Sequence, residues 1–241
     1  MIRFAMSSAL ALCLSTTAMS AQEMSKDEMR DFVLETIRDN PEIVMEAIQT
    51  LQARQEQSQA DQAQAVLSAN RAALEQDPNA PVVGNPDGDV TVVEFFDYNC
   101  GYCRRTYSDV QNLLGSDSNL RLVLREWPIL GEESVYAARA ALASRAQGKY
   151  EEFHNALMQN NGRANEASVL RIAKELGMDT DQLVRDMDAP EVAAHIQTSM
   201  QLTQALNLNG TPAFIFGDQL VPGAIEFEQM QALVAEIRDA G

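Results

Sequence analysis

Val92-Val93-Glu94-Phe95-Phe96-Asp97-Tyr98-Asn99-Cys100-Gly101-Tyr102-Cys103-Arg104-Arg105 is the stretch on which the rest of the sequence turns. It reads as an apolar strand running into a C-x-x-C turn that opens a helix. With two residues between the cysteines, Cys100 falls at the helix N-terminus and Cys103 one turn in, so the sulfurs can join without moving the backbone. The helix N-terminus carries partial positive charge, which stabilises a thiolate at Cys100. The thiolate is the attacking form, and in C-x-x-C sites its pKa falls to roughly 3.5–7. Cys100 is therefore the expected nucleophile and Cys103 the resolving thiol. The redox-active group is the Cys100–Cys103 disulfide itself, with no further cofactor.

A lone C-x-x-C also fits half of a zinc site or an inert structural disulfide. Zinc needs two or more further ligands at suitable spacing. The other candidates are Cys13, His154 and His195, which are widely separated, so no metal site is expected. The two histidines fall in predicted helices and read as structural or surface residues.

The chain has 241 residues, enough for one good core and an appendage. Its 18 Lys and Arg against 35 Asp and Glu give a net charge of −17. That balance argues against nucleic acid and anionic membrane surfaces as partners. Residues 1–21 read as a secretory signal peptide. Arg3 starts it, Phe4 to Leu14 is a short apolar run, and Ala18-Met19-Ser20-Ala21-Gln22 offers small-residue cleavage sites. Cys13 lies in the apolar run and is expected to leave with it. No later segment is apolar enough to insert stably in a membrane. The mature chain then has two cysteines and works in an oxidising compartment.

Residues 22–51 show helical spacing of Phe32, Val33, Ile37, Ile43, Val44, Ala47, Ile48 and Leu51, interrupted at Asn40-Pro41. This apolar face has few residues of its own to cover it, so it packs on the catalytic domain or on another copy, giving a homodimer or homotrimer. Residues 52–81 form a glutamine-rich helical linker with sparse small apolar residues, read as an exposed spacer. Asn85-Pro86-Asp87-Gly88-Asp89 turns the chain into the catalytic domain, residues 82–241.

There, strand 90–96, a helix from Gly101 and strand 120–126 form a βαβ unit. Five helical patterns fill the insertion at about 131–208, punctuated by Gly148, Asn161-Gly162 and Gly177. Phe214–Phe216 and Gln219–Val221 bracket Gly217-Asp218 as a hairpin, and a helix from Phe227 closes the chain. The fold class is α/β: a thioredoxin fold with an inserted helical domain, preceded by an N-terminal helical arm.

Phe95-Phe96-Asp97-Tyr98-Asn99-Cys100-Gly101-Tyr102-Cys103, Arg125-Glu126-Trp127-Pro128-Ile129-Leu130-Gly131, Gln147-Gly148-Lys149-Tyr150, Phe153-His154 and Gly210-Thr211-Pro212 resemble the DsbA-like family of exported thiol–disulfide oxidoreductases. The look is that of its ScsC-type and Com1-type branch, which carries an extra N-terminal helical segment. The resemblance covers about residues 82–240 well and the arm more loosely.

It implies a periplasmic protein acting on reduced or misfolded exported proteins, recycled by a membrane thiol reductase or oxidase. It implies that Pro212 is a cis-proline facing the disulfide. Thr211 would then offer backbone groups to an extended substrate strand. Glu94, six residues before Cys100, matches a buried acid in related redox proteins. Such an acid would have a raised pKa and could pass protons to and from Cys103. Gly101 and Tyr102 should tune the redox poise; disulfide isomerases resembling DsbC carry Gly-Tyr there, whereas the family's strong oxidases often carry Pro-His. The expected activity is thus disulfide isomerase or reductase. A dithiol oxidase is the alternative within the class, and an envelope holdase or copper-sequestering protein the alternative outside it.

Overall fold

The computed structural model describes residues 24–240 and divides into two units, residues 1–56 and 57–241. The predicted signal segment and Cys13 lie outside the described residues. No helix among the described residues is long and apolar enough to cross a membrane.

In the first unit, helix α1 (Lys26–Asp39) starts at a capping box. The Ser25 hydroxyl accepts from Glu28 N–H, and the Glu28 carboxylate accepts from Ser25 N–H at 2.9 Å. No residue of α1 is buried. The start of helix α2 (Glu42–Glu75) is equally bare, so Phe32, Val33, Ile37, Ile43, Met45, Ile48 and Leu51 all lie exposed.

The second unit is built on a five-stranded sheet: β1 (Val82–Gly84), β2 (Val90–Phe96), β3 (Leu120–Glu126), β4 (Ala213–Phe216) and β5 (Gln219–Pro222), in the order β1-β3-β2-β4-β5. Only β2 and β3 run parallel. Helix α3 (Gly101–Ser116) makes the crossover between them. β2 is buried along nearly its whole length because both faces of the sheet are covered. Side chains alternate between the faces. Val92, Phe96, Leu122, Leu124, Phe214 and Phe216 enter the core shared with α3, the closing helix α9 (Phe227–Ala240) and the helical insertion. Val93, Phe95, Val123, Ala213 and Ile215 enter the other.

The insertion comprises α4 (Glu132–Ala143), a 3-10 turn, α5 (Tyr150–Met158), α6 (Glu166–Glu175), α7 (Thr180–Asp186) and α8 (Pro190–Ala205). Buried polar contacts tie it to the sheet. The Tyr150 hydroxyl donates to Glu126 Oε1 at 2.5 Å, and Glu126 Oε2 lies 3.0 Å from His195 Nε2. Tyr98 Oη lies 3.0 Å from His154 Nδ1. Both histidines are buried and structural, and burial pushes His154 down to about 4.

Two features differ from the expectation. β1, three residues long, was not expected; it exists through antiparallel pairing with β3, Val83 opposite Leu122. The spacer expected over 52–81 is not exposed throughout, because the C-terminal part of α2 belongs to the second unit. Leu67 and Leu74, each 2% exposed, pack with Val93, Phe95, Val123 and Trp127. Arginines of β3 satisfy the last carbonyls of α2: Arg121 donates to Glu75 O at 2.7 Å, and Arg125 to Ala73 O and Leu74 O. Arg125 also pairs with Asp77 at 2.7 Å.

Candidate active site

Cys100 is the N-cap of α3, as the helix start after β2 dictates, and its backbone N–H donates to Asp97 O at 3.0 Å. Cys103, one turn in, is fully buried, and Cys100 keeps 6% of its surface. Both are free thiols. Across the sheet, β4 places Thr211-Pro212 against this turn. The Thr211–Pro212 bond is cis, and Cys100 Sγ lies 3.2 Å from Thr211 O.

The two sulfurs are held at opposite ends of the titration range. Cys100 is pulled down from 9.0 to about 5. The Cys103 thiol, hydrogen-bonded to it, contributes most, and burial opposes the shift. The Thr211 hydroxyl and the backbone N–H groups of Cys103 and Tyr102 add to it. Cys103 is pushed far above the ordinary thiol range, first by burial, then by the neighbouring Cys100 sulfur; Glu94 adds to the shift and the Asp97 N–H opposes it. The pair therefore holds one proton, kept at Cys103.

Glu94 is 3% exposed in β2, opposite Phe214 of β4, and burial raises it from 4.5 to about 8. Gly101 and Tyr102 are exposed at the mouth of the site. The Tyr102 ring is 59% exposed, with the Arg105 guanidinium 5.0 Å from its centroid. Among the described residues no cluster of His, Cys, Asp and Glu is placed to hold a metal ion.

Sequence reasoning assigned no part to Asp97. It is 2% exposed and accepts four hydrogen bonds: from Asn99 N–H and the Ser134 hydroxyl on Oδ1, both at 2.7 Å, and from Ile129 N–H and Leu130 N–H on Oδ2, at 2.9 and 3.0 Å. Asn99 in turn clasps Ala164, accepting from its N–H at 2.8 Å. Arg104 donates to Tyr98 O at 2.7 Å and to Asn160 O at 3.1 Å. The residues flanking the cysteines thus pin the turn to the helical insertion. The apolar strand before Asp97 was the one available signal, since a carboxylate closing such a strand has to find donors once buried.

A family model described as a DSBA-like thioredoxin domain matches residues 91–235, and one described as the copper resistance protein ScsC N-terminal domain matches residues 26–58. Among solved structures, a thioredoxin-like oxidoreductase from Silicibacter pomeroyi is 64% identical, with a TM-score of 0.70, covering 71% of this chain and 99% of that one. The thiol-disulfide exchange protein alpha-DsbA2 from Wolbachia pipientis is 30% identical, with a TM-score of 0.70 over 75% of this chain and 98% of that one. A linker-deletion mutant of ScsC from Proteus mirabilis is 26% identical, with a TM-score of 0.69 over 92% of this chain and 100% of that one. The Na(+)/H(+) antiporter NhaA 1 of Salinispora arenicola is 30% identical over 161 residues, 66% of this chain and 25% of the antiporter. The chain spans about a quarter of the length of the curated relatives it matches.

Proposed function

The chain belongs to the family of DSBA-like thioredoxin domains, and on that premise we propose that it exchanges disulfides with exported polypeptides through Cys100 and Cys103. The observation that carries the reading is the dithiol at the α3 N-terminus beside cis-Pro212, with Cys100 at about 5 and the proton on Cys103.

Reduction of a substrate disulfide begins when the Cys100 thiolate attacks one sulfur. A mixed disulfide forms and the other substrate sulfur leaves as a thiolate, which takes a proton from water. Cys103 then loses its proton, attacks Cys100 Sγ and expels the second substrate sulfur, so two electrons pass from the dithiol to the substrate. The second step needs a base, because burial holds Cys103 protonated. We assign that base to Glu94, whose value, raised to about 8, lets it take up and give back a proton near neutral pH. The reverse sequence oxidises a substrate dithiol. In isomerisation the leaving substrate thiolate attacks a different substrate disulfide before Cys103 acts.

Isomerase or reductase action fits the Gly101-Tyr102 pair and the bare apolar stripe of α1 and the start of α2, which we read as an assembly surface. Several active sites in one assembly would hold a misfolded substrate while its bonds reshuffle. A specific observation favours the dithiol-oxidase reading: a thiolate as stabilised as Cys100 stabilises the reduced form and makes the disulfide more oxidising. Reactivation of a scrambled-disulfide protein, measured beside oxidation of a dithiol peptide, separates the two. Neither activity above a Cys100→Ala control would sink the exchange reading. Residues 1–21, read as a signal peptide, would place this exchange in the periplasm.

A further inference from the structure

We propose that Arg104 is a positioning residue for the nucleophile: the chain between α5 and α6 fixes its guanidinium as a standing positive charge for the Cys100 thiolate. The inference rests on the exchange reading above and adds the residue, and the part of the helical insertion, that set the nucleophile's charge.

Arg104 follows Cys103 on α3, and its own N–H donates to Cys100 O at 3.1 Å. Long side chains on a helix point back toward its N-terminus, and this one does. Its Nε donates to Tyr98 O at 2.7 Å, two residues ahead of the nucleophile. Its Nη1 donates to Asn160 O at 3.1 Å and to Gly162 O. The guanidinium therefore bridges the redox turn and residues 159–165 of the insertion.

That stretch is itself held. Gln159 Nε2 donates to Tyr107 Oη of α3 at 3.0 Å, and Asn160 Oδ1 accepts from Arg171 at 3.0 Å. Ala164 N–H donates to Asn99 Oδ1 at 2.8 Å. A planar fork of donors set between fixed carbonyls keeps its charge in one place.

What this guanidinium lacks is a paired anion. Arg71, Arg125, Arg139, Arg163 and Arg238 each meet a carboxylate. Arg104 donates to main-chain carbonyls only, and its buried Nη2 has no partner among the described residues. A half-buried cation held in this way is costly unless negative charge faces it. Burial pushes Arg104 below the usual guanidinium range and Arg163 of the insertion adds to that, while Asp97 and Cys100 hold it up. The Asp97 carboxylate is already taken up by four donors. The Cys100 thiolate is the charge that comes and goes with the redox state. Support between the two is reciprocal, so the guanidinium stabilises the thiolate as much as the thiolate stabilises it. It vanishes when Cys100 enters a disulfide and so favours the reduced form.

The test is the 240 nm titration of the Cys100 thiolate in the full chain, beside its equilibrium with glutathione. Arg104→Met keeps the apolar stem and removes the charge. The titration should move up by about half a pH unit, a modest value for a neighbouring charge partly screened by water, and the equilibrium about threefold toward the protein disulfide. Arg104→Lys keeps a charge without the fork and should recover most of both shifts. A merely structural role would move the equilibrium or the melting temperature with no matching change in the titration. An unshifted titration in Arg104→Met, or an equal shift in Arg104→Lys, overturns the proposal. Gly162→Val leaves Arg104 in place and tests what aims it. A Cβ there meets nothing within 4 Å, but φ is +100°, so the strain falls on the main chain that carries the Gly162 carbonyl. The titration should rise in this variant too, and a folded Gly162→Val that titrates as the wild-type protein does overturns the proposal, whether or not Arg104→Met folds. The titration needs no substrate. If the wild-type protein exchanges with glutathione no faster than Cys100→Ala, the exchange reading falls, and the titrations still decide the part of Arg104.

Discussion

Cys100 Sγ and Thr211 O lie 3.2 Å apart, though 111 residues separate them in sequence. The sheet order sets this distance, because β4 lies antiparallel beside β2 and so delivers the residues before its start to the end of β2. Thr211 also gives its hydroxyl to the Cys100 sulfur, and this holds the thiol down alongside Cys103. Thr211→Val keeps the backbone and removes the hydroxyl. The Cys100 pKa should rise from about 5, seen as a shift of the 240 nm thiolate absorbance to higher pH. An unshifted titration would leave the neighbouring Cys103 and the helix end to account for the thiolate.

The split between the two thiols sets how the redox potential follows pH. Below about 5 both sulfurs of the reduced form are protonated, and two protons accompany two electrons. The potential should then fall by about 59 mV per pH unit. Above about 5 the reduced form keeps only the Cys103 proton, and the slope should halve to about 30 mV per pH unit. Equilibration with glutathione across about pH 4 to 10 reads the break. A break near 8.5, the ordinary thiol value, would show that Cys100 is not depressed.

Glu94 predicts a pH dependence of opposite sense. Its folded pKa is raised, from 4.5 to about 8, by burial. The neutral acid is compatible with the core, so its contribution to stability is complete below about 4.5, where the unfolded chain is protonated too. That contribution declines as the pH rises toward about 8, where the folded form must also ionise. Glu94→Gln removes the loss. The variant should exceed the wild-type protein in urea midpoint at pH 8 and approach it at pH 4. Its resolution of a mixed disulfide should slow roughly a hundredfold, the scale of a lost general base. A variant as fast as the wild-type protein would show that Cys103 is deprotonated by another route.

The strands and helices of residues 90–240 were legible because their signals are local. β2 and β3 are seven-residue segments dominated by Val, Leu and Phe, and Gly148, Gly162 and Gly177 mark breaks with positive φ. β1 was not legible: Val82–Gly84 is three residues between Pro81 and Asn85-Pro86, and becomes a strand only against β3. Within the site, Cys100 and Cys103 announced themselves by spacing, and Thr211 and Pro212 by resemblance. Asp97 did not, since a lone aspartate after a strand reads as a solvated turn residue until the donors from residue 129, residue 130 and Ser134 converge on it. The end of α2 failed for a like reason. Leu67 and Leu74 are two leucines seven residues apart among alanine and glutamine, too few to signal a buried face.

That end of α2 carries the last prediction. Cut at Pro81, where composition alone would place the domain start, the chain loses Leu67, Leu74 and the partners of Arg121 and Arg125. Val93, Phe95, Val123 and Trp127 are left with an uncovered apolar face, and Arg125 becomes a buried guanidinium without Asp77. Removing one partner of a buried ion pair alone costs about 3–5 kcal/mol. A chain starting at Pro81 should therefore aggregate or unfold well below the intact protein. A chain starting at Gln57 keeps every one of these contacts and should melt with the wild-type domain. Leu74→Ala in the full chain should cost about 2–5 kcal/mol, read from urea midpoints. Light scattering on the same proteins tests the arm separately: the full chain should associate and the chain from Gln57 should be a monomer. Equal stability of the chains from Gln57 and Pro81 would show that α2 adds nothing to the domain.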